Sequence, residues 1–440
     1  MKAFAVSRWG EDPWSAGSWS LIGRNGTPAD RTTLGAPIGD RLRLAGEATH
    51  ATRAGMTHGA YEQGLEAAAW AAARGHTRIA VVGAGIAGLA AAREARARGL
   101  TVDVWEARDR IGGRTAGVEV GGFPFDLGAN WLQQYPGNAL ARLAESLGLT
   151  TVPTDFTDPL VLDGSPPHHR LAGAGPQAPP VDRVPDAPLE PIPDALEHEL
   201  RSRLAAAAKG ESIADVVEAW QRDPEPWTAR AIRRFVDAEI VMDTGVPLSF
   251  LSARHGFEPG VGEGDRWIVG SYRLLVSHLA EGLNVRTGRP VQRIQYDDYQ
   301  VTLTGNGFSE RFDAAIVTVP VGVLQAGRIT FEPPLPRAQA GALGRLGMGR
   351  VEKVVLRFDR RFWPMHNSGY YRVHGPADGD ISEWLDAGAA DGSPTLVGLF
   401  AGPWLDTLWT GTDAEVAQRA AAIIAAATGA PVAPLREAAG

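Results

Sequence analysis

Ile79 to Val82 is a β-branched, apolar run that leads into the glycine-rich turn Gly83-Ala84-Gly85-Ile86-Ala87-Gly88. An alanine-rich stretch of helical period follows as far as Gly99, and a second apolar run begins at Thr101. The succession predicts strand, tight turn, helix and strand, which is one βαβ unit with two parallel strands. Residues 291–320 alternate and turn like a β-meander that ends in a buried strand, and residues 351–363 open as another alternating strand. In that strand Glu352 and Val354 face one way and Lys353 the other. Leu196 to Ala238 and Asp413 to Thr428 carry helical periodicity. Near the start, Arg41–Leu44 reads as a short strand, followed by small residues and by a helix that begins near Gly55 and runs to about Arg74. The end of that helix lies close to the next parallel strand, so Gly75-His76-Thr77 suffices as a crossover. From Pro153 to Pro193 proline dominates, and a long irregular loop is expected.

A chain of 440 residues with 44% hydrophobic residues buries a large core, and its length favours two domains. The net charge of -8 gives no general affinity for nucleic acid or anionic membrane. The absence of cysteine removes disulfides, thiolate metal sites and cysteine-linked cofactors. The N-terminus lacks a signal-peptide pattern, and the longest apolar windows are too short or too glycine-rich to span a bilayer, so a cytoplasmic protein is expected.

In its strand, turn and helix context, with Glu106 18 residues past Gly88 at the end of the second strand, the GxGxxG turn reads as a dinucleotide site. Glycines allow backbone N–H groups to approach a pyrophosphate at the helix N-terminus. Glu106 can accept hydrogen bonds from ribose hydroxyls. The plain alternative is a structural turn with a surface glutamate.

Directly after Glu106 the chain reads EARDRIGGRT, and with the preceding turn this resembles the flavin-containing amine oxidase family. FDLGANWL, VTVPVGVLQAGRITFEPPLP and GMGRVEKVVLRFDRRFWP are similar to family segments, as are RWGEDPWSAGSWS and RLRLAGEATHATRAGMTHGAYEQGLEAA. In the family the last two close the protein, whereas here they occupy residues 8–68, so the sequence resembles a circularly permuted member. The implied fold is α/β: a doubly wound, Rossmann-like FAD-binding domain (19–140 and 235–325) with an α+β substrate domain (1–18, 141–234 and 326–440) that holds both chain ends.

The resemblance implies FAD. It places Gly83, Gly85, Ile86, Ala87, Gly88, Glu106, Ala107, Arg108, Gly112, Gly113 and Arg114 along the cofactor from its adenosine half, with Gly128, Ala129, Asn130 and Trp131 continuing the site. Val291 matches an adenine contact, Gly46 and Glu47 the ribityl or phosphate region, and Gly55, Met56 and Thr57 the helix start at the flavin's pyrimidine edge. Ser18 stands where monoamine oxidases carry the cysteine that attaches the flavin, so the FAD is expected to be non-covalent. Lys353 matches the lysine that reaches flavin N5 through water. Trp19 matches one aromatic wall beside the amine, and the second wall falls on Met56, where many members have tyrosine. The implied reaction is hydride transfer from the carbon beside a neutral amine nitrogen, with an imine and peroxide as products and oxygen as co-substrate.

Other readings stand beside these. Trp19 is equally a core tryptophan; Gln133 and Gln134 line the channel or cap the next helix; His58 is a site or a capping residue. An L-amino-acid oxidase, or an FAD-dependent dehydrogenase or desaturase acting on an amine-containing intermediate, is the alternative within enzymes; an amino-acid substrate would need a carboxylate-binding arginine, for which Arg53, Arg233, Arg234 and Arg254 are the candidates. A flavin-binding scaffold without turnover is a different class, against which Lys353 argues. A histone demethylase role is not expected, nor is a metal, because His168 and His169 have no third ligand at suitable spacing. A monomer or homodimer is expected.

Overall fold

The computed structural model describes residues 1–163, 194–258, 264–375, 377, 379–388 and 392–431. Its central element is a parallel five-stranded sheet in the order Asn284–Arg286, Thr101–Trp105, Arg78–Val82, Ala314–Val317, Leu42–Leu44. The expected βαβ unit forms its centre, and the strand near residue 42 adds to its edge. Helices Thr57–Ala73 and Ile86–Ala97 cover one face, where Ile79, Val81, Val102, Val104 and Ile316 are buried. The two helices approach closely because Gly64 leaves no side chain in the way: a Cβ there would overlap the Ala87 carbonyl.

The other face departs from a doubly wound sheet, which has helices on both sides. Ala80, Val82, Trp105, Ala315 and Val317 instead pack mainly on a second sheet, in the order Phe308–Phe312, Val301–Gly305, Val291–Tyr296, Thr330–Glu332. This is the expected meander. Strand Thr330–Glu332 joins it in parallel.

A six-stranded sheet builds the other half, in the order Ala3–Val6, Val351–Arg357, Thr395–Ala401, Ile381–Asp386, Tyr370–His374, Leu160–Asp163. Helix Asp413–Ala427, begun by a Thr412/Glu415 capping box, packs on it together with Met1 and Val6. Strand Leu160–Asp163 corrects part of the expected loop: the run Leu160-Val161-Leu162 pairs with Tyr371–Val373 despite the prolines around it. The helical stretch resolves into Asp194–Ala206, Ile213–Arg222 and Ala229–Val236, the last continuing through a π-helical turn, Asp237–Val241, to Thr244. Among the described residues no helix is long and apolar enough to cross a membrane.

Candidate functional site

Strand Arg78–Val82 ends at Gly83, whose φ of 106° suits glycine, and helix Ile86–Ala97 starts from Gly85 without a side-chain cap. A methyl on Gly88 would overlap the Gly83 carbonyl, so the turn closes only with glycine there. Glu106 lies against this turn: its Oε2 accepts from Ala84 N and its Oε1 from Arg108 N, both at 2.8 Å. Each oxygen keeps a further lone pair for a hydroxyl donor. Ala107 joins Glu106 to Arg108, whose guanidinium donates to Asp12 and Ser15 at 2.7 Å. The next segment folds back over the turn: Gly112 N donates to Ala84 O at 2.8 Å and Gly85 bridges to Gly112. Gly112 and Gly113 both have positive φ. Val291 is buried, and the preceding Arg289 N donates to Glu106 O at 2.8 Å, which brings that strand start beside the acid.

Glu47 ties the early segment to this cradle. Its carboxylate accepts from Ser20 N and Oγ, from Gly55 N at 2.8 Å and from Arg114 Nη1 at 3.0 Å. Desolvation works against the charge, but Arg114, Arg31 and these hydrogen bonds hold its pKa below the usual glutamate value. Arg114 also donates to Ser18 O at 2.8 Å. The Ser18 hydroxyl accepts from Val351 N at 3.2 Å. Helix Thr57–Ala73 starts at Met56, again with no side-chain cap, so its first N–H groups point at whatever lies before it. Thr57 Oγ1 is 2.8 Å from Tyr272 OH.

Trp19 lies beside this helix start. A Cβ on Gly55 would sit 3.4 Å from its Cδ1, and its indole N–H donates to Asp243 O at 2.9 Å. Met56 is buried immediately after Gly55.

Lys353 is 5% exposed. Its amine donates to Asp126 O at 3.2 Å, to Gly128 O at 2.5 Å and to Asn130 Oδ1 at 2.5 Å, and it lies 5.3 Å from the Trp131 ring centroid. Ala129 N donates to Arg114 O, and a Cβ on Gly128 would overlap the same carbonyl, so the lysine cradle abuts Arg114. Lys353, Arg114, Glu47 and Gly55 thus form one connected set.

The remaining candidates separate. His58 is buried and reaches Gln134 Oε1 at 3.2 Å, and burial lowers its pKa, keeping the ring neutral. Asn138, not Gln133 or Gln134, caps the following helix. Gln134 has a φ of 52° and is held by Asp265 Oδ1. Arg53 is engaged by Glu62, Arg233 by Asp237 and Arg254 by the Ala207 carbonyl. His168 and His169 lie outside the described residues.

The sequence reading missed a charged group near Trp19. Arg372 pairs with Glu239 at 3.2 Å and Glu383 at 3.0 Å. Asp243 follows Glu239 by four residues across the π-helical turn, a rare geometry that often marks functional sites. Asp243 is an exposed residue, although neighbouring atoms crowd its carboxyl. Desolvation, with Glu383 and Glu239 adding to it against Arg372, pushes its pKa up to about 7. Met242, Val351, Ile381, Leu399 and Ala401 supply an apolar side next to Trp19. The acids at i and i+4 of one helix were the only local signal.

The described residues fit FAD on two observations. The helix N-termini at Ile86 and Thr57, which border this site, lack side-chain caps. Glycines face free space: a Cβ on Gly46 (φ 142°) would meet nothing within 4 Å, and one on Gly85 nothing closer than 4.0 Å. Gly46, Glu47, Arg114, Thr318 and Pro320 line a cleft at the ends of the parallel strands, where ligands of such sheets bind.

A family model for flavin-containing amine oxidoreductases matches residues 2–71 and 86–437. The probable polyamine oxidase 4 of Arabidopsis thaliana is 30% identical over 345 residues, covering 74% of this chain and 66% of its own length. Lysine-specific histone demethylase 2 of Homo sapiens is 29% identical over 369 residues, covering 79% and 43%. This chain therefore spans just under two thirds of the plant relative and under half of the human one. Among solved structures, cyclohexylamine oxidase from Brevibacterium oxydans superposes with a TM-score of 0.60 at 25% identity over 80% of this chain and 81% of that one. Putrescine oxidase bound to putrescine gives a TM-score of 0.60 at 22% identity, with the same coverage.

Proposed function

This chain belongs to the flavin-containing amine oxidoreductase family, and from that membership we propose that it oxidises a neutral amine held between Trp19 and Met56 beside non-covalently bound FAD. The observation that carries the reading is the convergence of three distant segments, Gly83–Gly88, Glu47–Thr57 and Lys353 with its cradle, through Arg114 and Glu47. Gly83 to Gly88 and Glu106 would hold the adenosine and pyrophosphate half, Gly112 to Arg114 and Gly46 the middle, and Thr57 the pyrimidine edge. The chemistry supplied by FAD when bound is acceptance of a hydride from the carbon next to nitrogen and delivery of the electron pair to oxygen. The N-terminus of helix Thr57–Ala73 favours negative charge at its end. Lys353 would place positive charge beside the flavin. Trp19 positions the substrate and excludes solvent.

The acidic group beside Trp19 adds a preference. Glu239, Glu383 and Asp243 set three carboxyl groups around Arg372. Such a group attracts a second cationic centre and repels a carboxylate, favouring a diamine or polyamine over an amino acid. The names of the plant relatives and the putrescine complex agree with that preference.

The order of segments is part of the reading. We take the chain to be a rotated family member, in which residues 1–71 supply elements that close other members. The two separate matched blocks support this, as does the strand Leu42–Leu44 lying next to Ala314–Val317 in the sheet.

Protein reconstituted with FAD, mixed anaerobically with diamines, monoamines and amino acids, tests the function. Bleaching of the flavin by diamines and peroxide release in air are expected. Bleaching only by amino acids would move the assignment to amino-acid oxidation. A folded, flavin-bearing protein bleached by none of them would leave a scaffold.

A further inference from the structure

Lys353 is enclosed by one short stretch of chain, Asp126 to Trp131. Its three acceptors, the carbonyls of Asp126 and Gly128 and Asn130 Oδ1, match the three protons of an ammonium group. A neutral amine would leave one of them without a donor. The Asp126 carboxylate, itself 3% exposed, supplies a countercharge that acts on the amine. Its Oδ1 accepts from Ser271 Oγ at 2.6 Å and its Oδ2 from Tyr272 N at 2.9 Å, just ahead of helix Arg273–Ala280. Glu352, next to the lysine on its strand, faces the other way and is held by Ser7, Trp9 and Gly10. Arg273 is the other charge that acts on Asp126. Burial lowers the lysine pKa and raises that of the aspartate, and the charge of each opposes the shift of the other.

We propose that Asp126 is a positioning residue: it anchors the 126–131 stretch around the Lys353 amine and supplies the countercharge that keeps this amine protonated. The protonated Lys353 then has no lone pair, so it takes no proton from the substrate and places a fixed positive charge beside the site. The inference rests on the proposed placement of Lys353 beside the flavin, and its test separates the two.

The chain contains three lysines, Lys2, Lys209 and Lys353, so lysine labelled with 13C at Cε gives three resonances, and Lys353→Met identifies one. The resonances are titrated in FAD-loaded protein, wild type and Asp126→Asn; the variant keeps an oxygen for the Tyr272 N–H and removes the charge. The Lys353 midpoint should move to lower pH by about one unit or more, as expected for loss of an adjacent opposite charge. The pH dependence of reoxidation of the reduced flavin should move with it, and Asp126→Asn should add nothing in a Lys353→Met background. An unmoved midpoint in Asp126→Asn protein that still holds FAD would overturn the proposal. Should that variant not fold, Ser271→Ala withdraws a donor from the carboxylate and should move the midpoint the same way by less; no movement there is equally fatal. If the midpoint moves as expected but Lys353→Met alters no flavin readout, the proposed function fails and the pairing stands.

Discussion

Asp243 makes no hydrogen bond or ion pair through its carboxyl among the described residues, yet it sits beside Trp19 with two further acids close by. A carboxylate of this kind serves a second ammonium group in a substrate that carries one. Asp243→Asn should raise KM for a diamine about tenfold, the loss of one charge-assisted contact of roughly 1.4 kcal/mol, and leave KM for a monoamine of equal length nearly unchanged. Equal losses for both substrates would place the carboxyl at the reacting amine instead. Asp265 is a different case, since it is 2% exposed and its Oδ2 has no hydrogen-bond partner among the described residues. Desolvation, opposed by the Gln134 N–H, pushes its pKa up to about 6 from 3.8. The folded state therefore binds this proton more tightly than the unfolded one, and stability falls as pH rises between those two values. Above about pH 6 the full cost is present, on the order of 2–3 kcal/mol. Asp265→Asn keeps the bond to Gln134, so its urea midpoint should exceed that of the wild type at pH 8, with the gap narrowing at pH 5.

The alanine-rich face of helix Thr57–Ala73 shows what an element needs beyond its periodicity. Ala67, Ala68 and Ala71 are fully buried against Ala91, Ala92 and Ala95 of the neighbouring helix, and Gly64 touches the backbone at Ala87. Gly64→Leu cannot be absorbed by rotamer changes, because the atom in the way is a carbonyl oxygen. It should cost more than about 3 kcal/mol, visible as a lower thermal midpoint and loss of FAD, since the same helix presents Thr57 to the site. Both helices were legible in the sequence, as were the glycine turn, Glu106 and the meander, because each is a local pattern of period, spacing or turn chemistry. The sheet covering the second face of the parallel strands was not, since a meander does not announce what it packs on. Strand Leu160–Asp163 was hidden by prolines, and its partner lies about 210 residues away. The group of Arg372, Glu239, Glu383 and Asp243 was illegible for the same reason: inward charges on a strand read as solvated until the opposing helix is in place.

On the scale of the molecule, the start of the chain and its last described helix meet in one layer. Met1 and Val6 share a core with Val416, Ala420 and Ile424 of the last described helix. The short link from Arg74 to Arg78 joins helix Thr57–Ala73 to the central strand. The sheets and their hydrogen bonds therefore depend on which segments are adjacent in space, not on where the chain is opened. If the proposed rotation is right, joining residue 440 to residue 1 through a short flexible linker and reopening the chain between Arg74 and Arg78 should return a folded protein. Loop-closure entropy changes little with the position of an opening in an exposed turn. The reopened protein should bind FAD with the same stoichiometry and visible spectrum as the original and retain its activity on the preferred amine within a few-fold. A reopened chain that folds but binds no FAD would show that the 74–78 link holds the glycine turn in register with helix Thr57–Ala73, and that rotation of the family order came with a dependence on that link.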